Sequence, residues 1–209
     1  METIALLDWL PFRSATPATS ARHAPAPGAA SDESLMLRYR DGDDDAFALL
    51  YARHRGALLR FARHLCHHAA EAEEIFQETW MAVIAARSRY RHSASFITWL
   101  FAIAHRRVAD SRRKRARRPA DTGVEFDELP TSSAATDPPQ RALDDARDRA
   151  LRAAVARLPF EQREVFLLRA ETGLGLADIA RITRARPEAT KSRLRYALRA
   201  LRKSLEEWT

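Results

Sequence analysis

Arginine and lysine crowd two helical stretches of this chain, and such side chains at such spacing are suited to holding phosphate. The first stretch, residues 101–118, reads Phe-Ala-Ile-Ala-His-Arg-Arg-Val-Ala-Asp-Ser-Arg-Arg-Lys-Arg-Ala-Arg-Arg, with eight Lys/Arg against one Asp. The second follows Pro187 and carries Lys191, Arg193, Arg195, Arg199, Arg202 and Lys203. Residues 119–139 hold five carboxylates and no Lys or Arg. Phosphate contacts supply most sequence-independent affinity for DNA, so two separated basic helices predict a grip on a polyanion at two places. A second chemistry is conceivable at His64, Cys66, His67 and His68, whose residue types can bind zinc. Neighbouring helical positions point about 100° apart, so these side chains do not converge as an i, i+4 pair would. They read as a helix end with scattered polar groups. No nucleophile elbow, phosphate-binding glycine loop or His-Glu metal pair occurs, so no catalytic residue, cofactor or metal is expected.

The elements that must position these cations are helical. The 209 residues allow one or two domains, and six glycines argue against a fold rich in tight turns. Net charge is +7, but 28 acidic residues make the positive charge local. One cysteine excludes an internal disulfide and suits a reducing cytosol. No apolar run approaches the ~18 residues of a membrane span, and the N-terminus lacks a basic leader. A soluble, intracellular chain without membrane insertion is the expectation.

Residues 1–30, rich in Pro, Ala, Ser and Thr, read as a disordered extension. A helix start is expected at Ser31–Ser34, and an N-cap at Asp44 or Asp45 for a helix running to about His68. Between Ala69 and Ala86, Ala72, Ile75, Phe76, Thr79, Trp80, Val83 and Ile84 fall at offsets of 3, 4, 7, 8, 11 and 12, which predicts one core-facing stripe. Glu73, Glu74, Gln77, Glu78 and Met81 occupy the opposite side, a candidate docking face for a basic partner helix. After a polar loop at 87–95, Phe96, Trp99, Leu100 and Ile103 open the first basic helix, which Pro119 ends. Residues 119–139 read as a flexible acidic linker of up to ~70 Å, about the length of 20 base pairs. Helices at 140–158, Glu161–Glu171, Leu176–Thr183 and from Pro187 onward complete the chain. The last two, with Arg184–Arg186 between them, form a helix-turn-helix whose turn lacks glycine. The expected fold is all-α, with two small helical domains at 31–118 and 140–209.

Four motifs in order resemble the sigma-70 family, specifically the extracytoplasmic-function (group 4) sigma factors of bacterial RNA polymerase. Ala72-Glu-Glu-Ile-Phe-Gln-Glu-Thr-Trp80 is similar to the DAEDLVQETF of region 2.2, and Ser95-Phe-Ile-Thr-Trp-Leu-Phe-Ala-Ile-Ala104 to SFRTWLYRIA. Leu158-Pro-Phe-Glu-Gln-Arg-Glu-Val-Phe-Leu-Leu168 resembles region 4, and Ile179-Ala180 with Lys191-Ser-Arg193 fall where the family has EIA and GTVKSR. The resemblance implies that Glu74, Gln77 and Glu78 contact the clamp coiled coil of core RNA polymerase. It implies that Tyr90, Arg91 and Arg106 line or flank a pocket for an unstacked base of the −10 element, since base edges are hidden in a duplex. Trp99 belongs mainly to the core, with a secondary role at the strand junction. Arg107, Arg112, Arg113 and Lys114 would hold phosphates there. In the last helix Lys191, Ser192, Arg195 and Tyr196 would read the −35 major groove, with Arg169 as an additional contact. Partners so implied are core polymerase, promoter DNA and, as a further candidate, an anti-sigma factor. The implied role is transcription initiation for a stress- or signal-responsive regulon. Two departures bear on promoter choice: Arg106 stands where the family often has Asn, and Glu188-Ala189 where it has Gly-Thr. The alternative reading is a stand-alone helix-turn-helix regulator, which leaves the acidic helix 69–86 unexplained.

Overall fold

A computed structural model describes residues 30–91, 94–117 and 138–206, with the side chains of the 138–157 helix described from residue 146 onward. The expected N-terminal extension and most of the expected linker lie outside these residues. Eight α-helices and no strand occur among the described residues. In chain order they are α1 (Asp32–Arg40), α2 (Asp44–Leu65), α3 (Ala69–Ala85), α4 (Phe96–Ala116), α5 (Pro138–Arg157), α6 (Phe160–Thr172), α7 (Leu176–Thr183) and α8 (Pro187–Ser204), with a 3-10 turn at Arg87–Arg89.

Helix α1 starts at the expected place, with the Ser31 hydroxyl accepting from Ser34 N. The N-cap of α2 falls one residue before the expected pair, at Asp43. One Asp43 oxygen accepts from Ala46 N at 3.2 Å while the other pairs with Arg38 at 2.6 Å, which fixes the cap there. Helix α2 ends at Leu65, three residues short of His68, because Cys66 turns to extended backbone. The chain reverses through His67, whose N–H is taken by a Glu71 carboxylate oxygen at 3.3 Å.

Helix α3 buries Ala72, Ile75, Thr79, Trp80 and Val83 against α2 and α4. Ile84, expected on the same stripe, is 39% exposed. At about 100° per residue it stands about 120° round from Ala72, at the rim of the stripe. An aromatic group joins α1, α2 and α3: Tyr39 lies 4.8 Å from the Phe47 ring, Phe47 meets Trp80 edge-on at 5.7 Å, and Tyr51 lies 5.0 Å from the Trp80 ring. Asp32 ties α1 to α2 through His54 at 2.7 Å and Arg53 at 2.8 Å. Burial works to raise the Asp32 carboxyl, yet these two partners together hold it below the ordinary carboxylate range.

In the C-terminal half, α8 packs on α5, α6 and α7. Gly173 closes α6 in the left-handed region, φ 69°, and Pro187 opens α8 at its first turn. The helix-turn-helix turn, which has no glycine, puts Arg184 at φ 53°. The halves touch: α6 packs on α2 and α7 on α4, and the buried apolar residues run as one cluster from Leu35 to Leu205.

Candidate nucleic-acid interface

The first basic helix, α4, is anchored by its apolar face. Phe96, Leu100, Phe101, Ala104 and Val108 are fully buried or nearly so. Its start is fixed twice: Ser95 accepts from Thr98 N, and the Glu33 carboxylate of α1 accepts from Phe96 N at 2.9 Å. From Arg106 onward the helix projects its cations, and four of its six Lys/Arg meet a carboxylate. Arg107 pairs with Glu78 of α3 at 3.1 Å. Asp110 sits 4.0 Å from Arg106 and pairs with Arg113. Arg115 and the Ser111 hydroxyl both donate to Glu71. Burial works to raise the Glu71 carboxyl, but these donors and His67 N hold it below its usual range. Arg106 remains 77% exposed, Lys114 is exposed, and Arg112 lies 3.3 Å over the Phe160 ring of α6.

The expected core-contact residues and phosphate holders therefore adjoin. Glu74, Glu78, Arg107, Arg113 and Lys114 line one polar cleft of about 360 Å³ between α3 and α4. Glu74 and Gln77 are exposed on the outer face of α3, beside Met81 at 64% exposure.

At the loop before α4, Arg91 is exposed, whereas Tyr90 is only 5% exposed and sits against Trp99 at 5.2 Å between ring centres. In this conformation the Tyr90 ring supports the loop from within rather than offering a free stacking face. Its hydroxyl has no hydrogen-bond partner among the described residues. Burial, with Glu33 and Asp32 nearby, pushes that phenol up to about 12. Trp99 is half-buried between Tyr90 and Phe96.

Helix α8 keeps Thr190, Leu194, Ala197, Leu198 and Leu201 inward. That rotation leaves Lys191, Arg195 and Tyr196 outward and Ser192 at the edge. Arg195 lies 5.3 Å from the centre of the Tyr196 ring, which is 51% exposed. Arg169 behaves otherwise. Its guanidinium donates to the carbonyls of Gly173 at 3.0 Å and Leu174 at 2.7 Å, so in the free chain it braces the turn that leads into α7.

Several residues at the seam between the halves were not singled out from the sequence. Glu171, with its side chain 2% exposed, pairs with Arg60 of α2 at 2.9 Å. Glu164, 5% exposed, meets His105 of α4 at 2.9 Å and lies 3.8 Å from Arg193 of α8. A signal for both was present: Glu164, Leu168 and Glu171 are spaced four and three apart, on the helix face that Val165 and Leu168 bury. Arg163 is also at the seam, where burial and the neighbouring Arg112 push its guanidinium down. At the histidine-cysteine stretch, burial and then Glu71 push the Cys66 thiol up to about 12. Among the described residues no group of three or more potential ligands converges there, and no helix is long and apolar enough to cross a membrane.

With this geometry in place, residues 50–118 match the family model for sigma-70 region 2, and residues 148–201 that for sigma-70 region 4. The RNA polymerase sigma-H factor of Pseudomonas aeruginosa is 30% identical over 181 residues, 84% of this chain and 94% of that protein. The ECF RNA polymerase sigma factor ShbA of Streptomyces griseus is 33% identical over 181 residues, 83% of this chain and 95% of that protein. Among solved structures, the sigma factor RpoE from Bartonella quintana, in complex with the anti-sigma factor NepR, superposes with a TM-score of 0.64 at 23% identity, covering 77% of this chain and 96% of that one.

Proposed function

This chain belongs to the sigma-70 family as an extracytoplasmic-function sigma factor, and from that premise we propose how its residues divide the work of initiation. A sigma factor binds core RNA polymerase and directs it to promoter DNA. Here the 31–118 half takes the polymerase clamp and the −10 element, and the 140–209 half takes the −35 element. Residues 119–139 join them as an acidic tether.

The observation that carries this division is the outer face of α3. Glu74, Gln77 and Met81 stand in solvent while Ala72, Ile75, Thr79, Trp80 and Val83 of the same helix are buried. An exposed thioether among carboxylates and an amide suits a basic, partly apolar helical partner. On this reading Glu74, Gln77 and Glu78 hold the clamp. Arg91 and Arg106, exposed at the loop and on α4, flank the captured base, with Tyr90 and Trp99 supporting the loop beneath it. Arg107, Arg112, Arg113 and Lys114 hold the phosphates alongside. Lys191, Ser192, Arg195 and Tyr196 enter the major groove, where one charged residue against a guanine edge discriminates by about 1–3 kcal/mol. The chain acts by binding, with no catalytic residue or cofactor of its own, in the bacterial cytoplasm. An anti-sigma factor is a further proposed partner.

Core-polymerase pull-down tests the central step. Glu74→Lys and Gln77→Ala should weaken capture at least about tenfold while the helical content is kept. Capture equal to wild type would move the polymerase contact elsewhere.

A further inference from the structure

We propose that helix α1 is a positioning element for −10 capture: Glu33 and Arg87 fasten the two ends of the loop that carries Tyr90 and Arg91. This rests on the sigma reading above. Helix α1 lies before residue 50, where the match to region 2 begins, and has so far had no task. It is itself firmly seated. Leu35 and Met36 are wholly buried and Tyr39 nearly so. Asp32, in its first turn, is held by His54 and Arg53 of α2, and Tyr39 lies 4.8 Å from the Phe47 ring.

From this seated helix two contacts reach the loop. On the side that follows α3, the Arg87 guanidinium lies 4.6 Å over the Tyr39 ring and 3.6 Å from Asp44. An arginine beside a DNA-facing loop is a natural phosphate ligand, yet the planar face of this one covers an aromatic ring of α1. Its carbonyl accepts from Tyr90 N at 3.4 Å, and the Tyr90 ring rests on Trp99. On the side that enters α4, Phe96 N–H is one of the first-turn donors that no intrahelical carbonyl can satisfy. Glu33 accepts it at 2.9 Å, while Ser95 accepts from Thr98 N. A carboxylate at a helix N-terminus is also favoured by the helix dipole. The Phe96 ring lies 5.4 Å from that of His54, the partner of Asp32. Both ends of the loop are thus referred to one helix, with the buried Tyr90 and the exposed Arg91 between them in sequence. The proposed clamp contacts and the outward face of α8 lie on other elements, so α1 acts on the −10 step.

The test uses the full chain with core polymerase and a promoter recovered from wild-type transcripts on a pooled library. Glu33→Ala and Arg87→Ala should each slow the appearance of permanganate-reactive thymines about three- to tenfold, because only chains with the loop seated capture the base. Core capture and binding to duplex −35 DNA should stay within about twofold of wild type, since those sites are remote from the substitutions. Glu33→Gln keeps an acceptor for Phe96 N and should restore most of the melting rate. Arg40→Ala, also on α1 but partnered by Asp41, should leave it unchanged. In the free chain, hydrogen exchange at Phe96 N should quicken in Glu33→Ala and not in Glu33→Gln. Wild-type melting by both alanine variants overturns the proposal. So does an equal loss of melting, core capture and −35 binding, which would make α1 a stability element only. Failure of the wild type itself to open any promoter with core polymerase would instead overturn the sigma reading.

Discussion

Replacing Arg169 by Ala separates a residue that touches DNA from one that shapes the DNA reader. Its guanidinium holds the Gly173 and Leu174 carbonyls at 3.0 and 2.7 Å, the first bond exposed and the second part-buried. A hydrogen bond from a charged donor contributes about 1.5–3 kcal/mol when shielded and less where water competes, so the pair together should contribute about 1–2 kcal/mol. Urea unfolding of the Ala variant should show that loss. Gly173→Ala disturbs the same turn without removing charge. Gly173 sits at φ 69° with no atom within 4 Å of where an added methyl would stand, so the cost is backbone strain alone, about 1 kcal/mol. If Arg169 acts through the turn, both variants lose stability and both bind −35 duplex more weakly, with the salt dependence of binding unchanged. A direct phosphate contact predicts the opposite: stability intact, and the salt slope reduced by about one in the Arg169 variant only. That result would refute the bracing role.

Other substitutions probe the remaining pieces. Arg184→Gly removes a left-handed penalty of about 1–2 kcal/mol and adds about 0.5–1 kcal/mol of unfolded-state entropy, so the urea midpoint should rise slightly, by about 0.5 kcal/mol in stability. Tyr90→Phe deletes a buried hydroxyl without a partner among the described residues, so denaturation should show unchanged or higher stability, within about 1 kcal/mol. At the seam, burial and then Arg152, Arg60 and Arg163 lower the His64 imidazole from 6.5 to about 4. The unfolded chain then takes up a proton near pH 6.5 and the folded chain only near 4, so stability falls as pH drops through that window. Because His64 keeps some surface in water, the loss should be about 1–2 kcal/mol, and His64→Leu should flatten that part of the pH–stability curve.

The helices and the outward face of α8 were legible because each rests on periodicity and on a local cap or breaker. Pro187 at the first turn and the Leu194, Leu198, Leu201 stripe leave Lys191, Arg195 and Tyr196 outward, as the spacing predicts. Local signals also explain the small errors. Asp43, Asp44 and Asp45 are chemically equal as caps, and only the pairing of Asp43 with Arg38 selects among them. Ile84 passes a periodicity test yet sits at the rim, since a stripe does not state its own width. The seam was illegible for a different reason. Arg60 and Glu171 lie 111 residues apart, and His105 and Glu164 lie 59 apart, so no repeat or spacing links them. A carboxylate on the buried face of α6 announces only that a partner exists.

The same pairing logic predicts a coupling between the two jobs of the 31–118 half. Glu78, a proposed clamp contact, is the partner of Arg107, a proposed phosphate holder, at 3.1 Å. Both are more than two-fifths exposed, with side-chain accessibilities of 41% for Arg107 and 44% for Glu78, so the pair contributes at most about 1 kcal/mol. A basic clamp helix that takes up Glu78 would release Arg107 toward DNA. Glu78→Gln should mimic that release and tighten binding of single-stranded −10 DNA by the free chain, by no more than about fivefold given that energy. The gain should shrink as salt rises, because exposed charges are screened over about 10 Å at 0.1 M. An equal gain from Glu73→Gln, whose carboxylate pairs with Arg63 of α2 instead, would mean that only net charge had changed and that Glu78 and Arg107 are not coupled.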